Sequence, residues 1–373
     1  MTCAGELPPI DVFGQIGDEY EQVVYCHDKA TGLKAIIAIH STVLGPALGG
    51  TRFYPYGSGA AALTDVLRLA KGMTYKSALA GLDLGGGKAV IIGNPATTKT
   101  EELLRTYARF IDSLGGRYLT AEDVGTTQAD MDMIARETQC VTGTSPLLGG
   151  SGDPSEATAR GVYWSMRATA AHLDGAPDLA GLHVVISGVG KVGSSLVHLL
   201  NGDGAKVTIA DVDDAAVSRL VTDPNLDVQV ADVHGVHAIA CDILSPCALG
   251  GVLNEASIPA LRCRAIVGAA NNQLAAEKDA DRLAARGIVY VPDFVANAGG
   301  VINIADELMG YHHERAMAAV ERISITTAEI LRLSDRDAIT TVKAAESLAE
   351  ARINDVATSK RIRSFGPPRR HGS

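Results

Sequence analysis

HVVISGVGKVGSSLVHLL, residues 183–200, reads as an apolar strand, a glycine-rich turn and the start of a helix. The turn has the spacing G-x-G-x-x-G, formed by Gly188, Val189, Gly190, Lys191, Val192 and Gly193. Glycines at these positions let the backbone approach a pyrophosphate, which then lies at the positive end of the following helix. The stretch therefore predicts a dinucleotide-binding turn.

The next strand supports this interpretation. Glycine-rich turns recur by chance in a chain with 40 glycines, so the spacing alone is a weak signal. Here AKVTIADVDD (205–214) completes a strand–helix–strand unit, and Asp211 ends it roughly 20 residues after the turn, where an acid accepts hydrogen bonds from a ribose. Asp213 and Asp214 add negative charge that repels a 2′-phosphate. These residues favour NAD over NADP, and they weigh against a tight turn without a ligand.

The remaining chain fits an α/β protein with two domains, the usual number at 373 residues. Short strands in 237–244, 264–270 and 287–294 alternate with helices, which predicts a doubly wound parallel sheet. Before residue 148 the pattern predicts two strands within 21–41, a glycine-rich loop at 45–53, a helix over 59–79, a strand at 88–92 and a strand in 117–125. Thr98 and Glu101 are expected to form a capping box for another helix, and the chain is helical from about Glu314.

Composition and charge argue against several classes of protein. A net charge of −10 argues against nucleic-acid binding, and no apolar stretch is long enough for a transmembrane helix. The first residues lack the pattern of a signal peptide. Six scattered cysteines indicate reduced thiols rather than a disulfide framework or a metal site. We expect a cytoplasmic protein with no metal and no membrane partner.

Lys88 follows three glycines in GLDLGGGKAVIIG, residues 81–93. A Walker loop is excluded because Leu82 and Ala89 stand where it needs glycine and serine or threonine. Lys88 is then either a solvated lysine at the start of a strand or a base whose pKa is lowered by neighbouring cations, with Lys71 and Lys76 as candidates. We expect the glycines to admit the substrate beside Lys88. Composition and spacing leave both alternatives open.

Two further polar groups follow predicted strands. Asp123, in TAEDVGTT, is either a helix cap or turn residue or an acid at the end of a strand. Asn271 and Asn272, in GAANNQ, form either an Asx turn or an amide contact to a ligand at the carboxyl ends of the strands.

Several motifs together resemble a known family. They are GPALGGTRFYPY (45–56), LAKGMTYKSALAGLDLGGGKAVIIG (69–93), RYLTAEDVGTT (117–127), SPCALGG (245–251), GAANNQL (268–274) and PDFVANAGGVINIADE (292–307). In this order they resemble the leucine, valine and phenylalanine dehydrogenases of the glutamate dehydrogenase-like amino-acid dehydrogenase superfamily. The resemblance implies NAD-dependent oxidative deamination of an L-amino acid to a 2-oxo acid and ammonia, by a homo-oligomer.

The resemblance also implies a domain division. Residues 1–148 form an α/β substrate and oligomerisation domain, completed by C-terminal helices over 330–360. Residues 149–329 form the Rossmann-type NAD domain, and 361–373 a frayed basic tail.

The same resemblance assigns roles to individual residues. Lys88 is the catalytic lysine that activates water, and Asp123 is the second acid/base. The substrate carboxylate is held by Lys76 with the backbone of Gly49 and Gly50. The side-chain pocket is formed by Leu48, Ala121, Val301 and Ile304. Thr158, Ala269, Ala270 and Asn271 lie beside the cofactor, with Asn271 also touching the substrate.

The bulk of Leu48, Val301 and Ile304 favours a branched aliphatic substrate, valine or leucine, over phenylalanine. A catalytically silent NAD-binding regulator is a distant alternative, because it predicts loss of Lys76, Lys88 or Asp123 and all three are present.

Overall fold

The protein is described by a computed structural model over residues 12–17 and 19–358. Its first part folds around a five-stranded mixed sheet in the order β1-β2-β4-β3-β5. The strands are β1 (Gln22–Asp28), β2 (Leu33–Ser41), β3 (Ala47–Tyr54), β4 (Gly85–Ile92) and β5 (Tyr118–Glu122). β4, β3 and β5 are parallel, whereas β2 is antiparallel to both β1 and β4. The helices of this part are α1 (Val12–Ile16), α2 (Gly59–Leu79), α3 (Pro95–Thr98), α4 (Glu101–Asp112) and α5 (Gln128–Ile134).

The second part contains a parallel six-stranded sheet in the order β11-β10-β9-β6-β7-β8. The strands are β6 (His183–Ser187), β7 (Lys206–Ala210), β8 (Val228–Val230), β9 (Cys241–Pro246), β10 (Cys263–Ile266) and β11 (Val289–Tyr290). The accompanying helices are α6 (Ser155–Asp174), α7 (Lys191–Gly202), α8 (Asp214–Val221), α9 (Lys278–Ala285), α10 (Asp293–Ala296) and α11 (Gly299–Asp306). Strand order reverses between β6 and β9, which creates the crevice where such sheets bind ligands. The predicted α/β class with a doubly wound sheet is confirmed.

Three C-terminal helices follow, α12 (His313–Glu321), α13 (Ile323–Asp337) and α14 (Thr341–Thr358). The last two of them reach back to the end of α2. Arg352 of α14 donates to the carbonyl oxygen of Ala78 at 2.5 Å, and Thr326 of α13 donates to that of Leu79 at 3.2 Å. The boundaries 1–148, 149–329 and 330–360 stay predictions, and the tail predicted for 361–373 lies outside the described residues.

The helix predicted over 59–79 is confirmed, but two local predictions are wrong. The glycine-rich stretch at 45–53 is expected to be a loop, but from Ala47 onward it belongs to strand β3. A Cβ at Gly49 would lie 1.7 Å from the carbonyl oxygen of Gly87, so glycine at this position lets adjacent strands approach rather than marking a turn. The cap of α4 is Thr100, whose side chain accepts from the Leu103 amide at 3.2 Å, and not Thr98, which ends α3.

Apolar burial forms separate clusters around the two sheets. Ile37, Ile39 and Ile91 are fully buried in the first sheet. In the second part, Val184 and Ile186 of β6 and Leu196 of α7 are fully buried. Within the described part of the chain, no helix has the length and apolar character to cross a membrane. The cysteines described there, Cys26, Cys140, Cys241, Cys247 and Cys263, carry free thiols.

Candidate active site

A cavity of about 500 Å³ lies between the two sheets and brings together most of the predicted site residues. Its wall includes Leu48, Gly49, Gly50, Lys76, Lys88, Ala121, Asp123, Thr158, Val192, Ala269, Asn271, Val301 and Ile304. These residues come from both parts of the chain, so the cavity depends on how the parts face each other. Gly188, Val189, Gly190, Lys191, Gly193, Asp211 and Ala270 do not line it.

Lys88 lies in the middle of β4 and is only 6% exposed, which excludes a solvated lysine at a strand entrance. Its Nζ lies 3.2 Å from Oδ1 of Asp123. Burial lowers the pKa of Lys88; the Asp123 carboxylate opposes this shift and the Arg52 guanidinium adds to it, so the pKa stays below that of a free lysine. A lysine in this state is more readily neutral, as a general base requires.

The glycines before Lys88 have a different purpose from the one expected. None of Gly85, Gly86 and Gly87 lines the cavity. A Cβ on Gly86 would lie 2.0 Å from the backbone nitrogen of Thr74, in α2, and one on Gly87 would lie 2.9 Å from the Tyr118 ring. The glycines therefore let α2 and Tyr118 pack directly on β4, and the expectation that they admit the substrate is wrong.

Asp123 directly follows β5, and its side chain does not cap the next helix, which is capped by Thr127. Its Oδ1 faces Lys88, and its Oδ2 accepts from Nε of Arg52 at 2.9 Å. Burial alone raises the pKa of the Asp123 carboxyl, but the charges of Lys88 and Arg52 outweigh burial and hold that pKa below its usual range. Asp123 is therefore an ionised carboxylate between two cations.

Lys76 projects from α2 into the cavity. Its Nζ donates to Oδ1 of Asn297 at 2.6 Å. Burial lowers the pKa of Lys76 to about 8, with Asp293 and Asp123 opposing the shift and Lys88 adding to it. The other candidate cation of this helix is excluded, since Lys71 pairs with Glu19 at 2.8 Å and does not line the cavity.

Asn297 was missed by sequence reasoning, although it stands in the motif PDFVANAGG. It connects Lys76 with Asn271, the asparagine predicted to contact the ligand. The Nδ2 of Asn297 donates to Oδ1 of Asn271 at 2.7 Å and to the carbonyl oxygen of Ala269 at 3.1 Å. The adjacent Asn272 has a φ of +53°, which fits the turn alternative for that residue. Its Oδ1 accepts from Arg68 at 3.2 Å.

Arg52 was also missed. It follows Gly50 by two residues on β3, so its side chain lies on the sheet face to which position 50 also belongs, and it lines the cavity. An arginine inside an apolar, glycine-containing strand is the signal that would have identified it, since such a charge needs buried partners.

The glycine turn fits a dinucleotide. Gly188 has a φ of +105°, and a Cβ there would lie 2.6 Å from that of Ala248, so only glycine is accommodated. Gly190 caps α7 and has open space beside it, leaving the first helical amides available to an anion. Asp211 accepts from the amide of Val189 at 2.6 Å and from that of Asp213 at 2.9 Å, which fixes its carboxylate at the mouth of the turn.

Comparison with known proteins agrees with this geometry. The family model described as "Glu/Leu/Phe/Val dehydrogenase, dimerisation domain" matches residues 20–140. The model "Glutamate/Leucine/Phenylalanine/Valine dehydrogenase" matches residues 149–225 and 215–354. This chain belongs to the glutamate/leucine/phenylalanine/valine dehydrogenase family.

Relatives within the family resemble the chain over most of its length. Leucine dehydrogenase of Bacillus cereus is 51% identical over 342 residues, covering 92% of this chain and 93% of the relative. Valine dehydrogenase of Streptomyces virginiae is 53% identical over 340 residues, covering 90% and 94%. The crystal structure of L-tryptophan dehydrogenase from Nostoc punctiforme superposes with a TM-score of 0.81 at 41% identity, covering 92% of this chain and 98% of that one. The protein is an amino-acid dehydrogenase of this family, and its Rossmann-like domain is consistent with a nicotinamide cofactor.

Proposed function

We propose that this dehydrogenase catalyses the reversible NAD-dependent oxidative deamination of a branched-chain L-amino acid, valine or leucine, to the 2-oxo acid and ammonia. The observation that carries the proposal is the placement of Lys76, Lys88 and Asp123 around one cavity whose wall also has an apolar section, formed by Leu48, Ala121, Val301 and Ile304. Two cations and a carboxylate match the carboxylate and amino groups of an amino acid, and the apolar wall matches an aliphatic side chain.

The substrate carboxylate binds Lys76, with the backbone of Gly49 and Gly50 alongside. A carboxylate is well placed there because the Lys76 ammonium hydrogen-bonds the neutral amide of Asn297, while Asp293 and Asp123 act on it only as nearby charges. A bound carboxylate stabilises the charged form of Lys76. Asn271, held by Asn297, then lies between substrate and cofactor.

Asp123 and Lys88 move the protons. Asp123 accepts a proton from the substrate ammonium through Oδ1, since its other oxygen is held by Arg52. After oxidation gives an iminium carbon, neutral Lys88 takes a proton from water as the water attacks that carbon. Lys88 releases that proton to solvent and, as the carbinolamine collapses, takes the hydroxyl proton, while Asp123 returns its proton to the departing nitrogen and ammonia leaves.

NAD supplies the acceptor for the hydride that leaves Cα. The turn from Gly188 to Gly193 would hold its pyrophosphate, and Asp211 its adenosine ribose. Thr158, Val192, Ala269 and Ala270 would lie along the path from that turn to the cavity. The negative charges of Asp211 and Asp213 disfavour a 2′-phosphate at this position, which supports NAD rather than NADP.

The side-chain pocket supports an aliphatic substrate. Leu48 and Ala121 of adjacent strands and Val301 and Ile304 of α11 present only hydrocarbon to the cavity. Their bulk leaves less room for an aromatic ring than smaller residues would.

The test is steady-state NADH production from valine, leucine, isoleucine, phenylalanine and tryptophan, each with NAD and with NADP. We expect kcat/KM to be highest for valine or leucine with NAD. A highest value for phenylalanine would replace the substrate assignment. No turnover of any amino acid, with NAD binding retained, would favour the silent regulator.

We also infer a homo-oligomeric, cytoplasmic enzyme. The first matching family model is described as a dimerisation domain, and it covers the five-stranded sheet. Light scattering on the purified protein gives the oligomeric state, and a monomer at micromolar concentration would contradict the inference.

A further inference from the structure

Arg52 occupies a position that the proposed chemistry leaves unexplained. It lies on β3, and its side chain is 20% exposed. Nε donates to Oδ2 of Asp123 at 2.9 Å, and Nη1 donates to Oδ2 of Asp65, in α2, at 2.9 Å. The guanidinium therefore bridges a carboxylate beside Lys88 and a carboxylate on the helix that carries Lys76.

We propose that Arg52 is a positioning residue for catalysis: it holds Oδ2 of Asp123 so that Oδ1 alone faces Lys88 and the substrate nitrogen. The proposal rests on the deamination chemistry assigned above.

Asp65, the second carboxylate that Arg52 bonds, is itself held by two further residues. Oδ2 of Asp65 also accepts from the Tyr56 hydroxyl at 2.6 Å, and Oδ1 of Asp65 pairs with Arg68 at 3.1 Å. A carboxylate with these partners cannot swing toward Lys88. The guanidinium is consequently held in one orientation, and it transmits that orientation to Asp123.

Arginine suits this role better than lysine. A planar guanidinium presents nitrogens in several fixed directions, so one side chain bonds two carboxylates that lie on different elements. An ammonium at the same position is a single point charge with rotatable donors. Arg52→Lys therefore preserves the charge but loses the fixed bridge.

Arg52 also affects the charge balance around Lys88. Asp123 and Asp65 bond this pair directly, and Asp65 is in turn bonded by Tyr56 and Arg68. The other charged groups that line the same cavity are Lys76, Glu122 and Asp293. Removing Arg52 takes away a cation near Lys88 and leaves Asp123 free to pair with Lys88 more closely. Both changes stabilise the Lys88 ammonium, so the neutral amine forms at higher pH.

The experiment compares the wild type, Arg52→Lys and Arg52→Gln in kcat, KM and pH profile for the best amino acid. Arg167→Gln is the control, because Arg167 is likewise a partly buried arginine, 30% exposed, but it bonds the Tyr163 hydroxyl and the Asp203 carboxylate away from the cavity. We expect Arg52→Gln to lose about 100-fold in kcat with KM changed much less, since misplacement of a catalytic group has effects of that order. In the pH profile of Arg52→Gln, the range over which kcat rises with pH should move to higher pH.

Arg52→Lys discriminates positioning from charge alone. We expect it to keep the thermal stability and most of the pH profile while kcat remains at least about tenfold low. Wild-type kcat in Arg52→Lys overturns the proposal, including in the case where Arg52→Gln does not fold. A raised KM with unchanged kcat also overturns it, because it would make Arg52 a substrate-binding group. Failure of the proposed function itself appears separately, as no turnover by the wild type.

Discussion

Lys76 in α2 donates to Oδ1 of Asn297 at 2.6 Å, although 221 positions separate the two residues. Asn297 in turn donates to Asn271, which follows a strand of the second sheet. One amide therefore links the proposed carboxylate-binding lysine to the loop beside the proposed cofactor site. Two consecutive hydrogen bonds, from Lys76 to Asn297 and from Asn297 to Asn271, therefore connect the two sides of the cavity.

Lys76→Met tests the carboxylate-binding role. The substitution removes a charged donor and keeps most of the apolar stem, so we expect KM for leucine or valine to rise about 10- to 100-fold, the effect of losing a hydrogen bond to a charged group. Lys71→Met is the control, because Lys71 lies on the same helix but pairs with Glu19 outside the cavity. Steady-state kinetics of both variants give the comparison. Equal KM values in the two variants would refute the assignment.

The pKa of about 8 for Lys76 predicts how binding depends on pH. A carboxylate ligand favours the ammonium, so its affinity is full below about pH 8 and declines by up to tenfold per pH unit above it. The affinity of 4-methylpentanoate, measured by calorimetry between pH 6.5 and 10, checks this decline. Lys76→Met should bind weakly with no such dependence. An affinity that rises above pH 8 in the wild type is incompatible with the prediction.

Substitution of Lys88 tests the proposed proton transfer from water. Lys88→Gln should lower kcat by about 10²- to 10⁴-fold, the usual contribution of a general base. Lys88→Arg should not restore the rate, because a guanidinium stays charged at every accessible pH. Rapid-mixing and steady-state assays give kcat, and NADH fluorescence shows whether cofactor binding is kept. A full deaminase rate in Lys88→Gln would contradict the proposed role of Lys88 as the general base.

Much of the site could be predicted because each local motif carries its own chemistry. Lys76, Lys88 and Asp123 were identified from family motifs, and the structure brings them to one cavity. Arg52 and Asn297 were not, because their importance lies in partners 71 and 221 positions away that only the tertiary fold brings near. The sequence alone predicts a loop at β3 for a similar reason: glycine has a low strand propensity, and the close contacts that require glycine there come from neighbouring strands.

Gly86→Ala tests the revised purpose of the glycines. A Cβ at Gly86 would lie 2.0 Å from the backbone of Thr74, which no side-chain movement relieves. We expect a loss of about 3 kcal/mol or more in the free energy of unfolding, as for severe overpacking, seen as a lower Tm. Gly59→Ala is the control, since Gly59 begins α2 with open space around it and should be neutral or slightly stabilising. A Gly86→Ala protein with wild-type Tm would show that α2 packs differently.

Val301→Ala tests the side-chain pocket. Val301 is 6% exposed and lines the cavity, so its truncation enlarges the space for the substrate side chain. We expect the ratio of kcat/KM for phenylalanine to that for leucine to rise about tenfold or more, because one or two methyl groups in an apolar pocket are worth about 1–3 kcal/mol. Val320→Ala is the control: Val320 is fully buried in the same apolar cluster but does not line the cavity, so it should lower stability without changing the ratio. If both variants leave the ratio unchanged, the side chain of the substrate lies against a different wall.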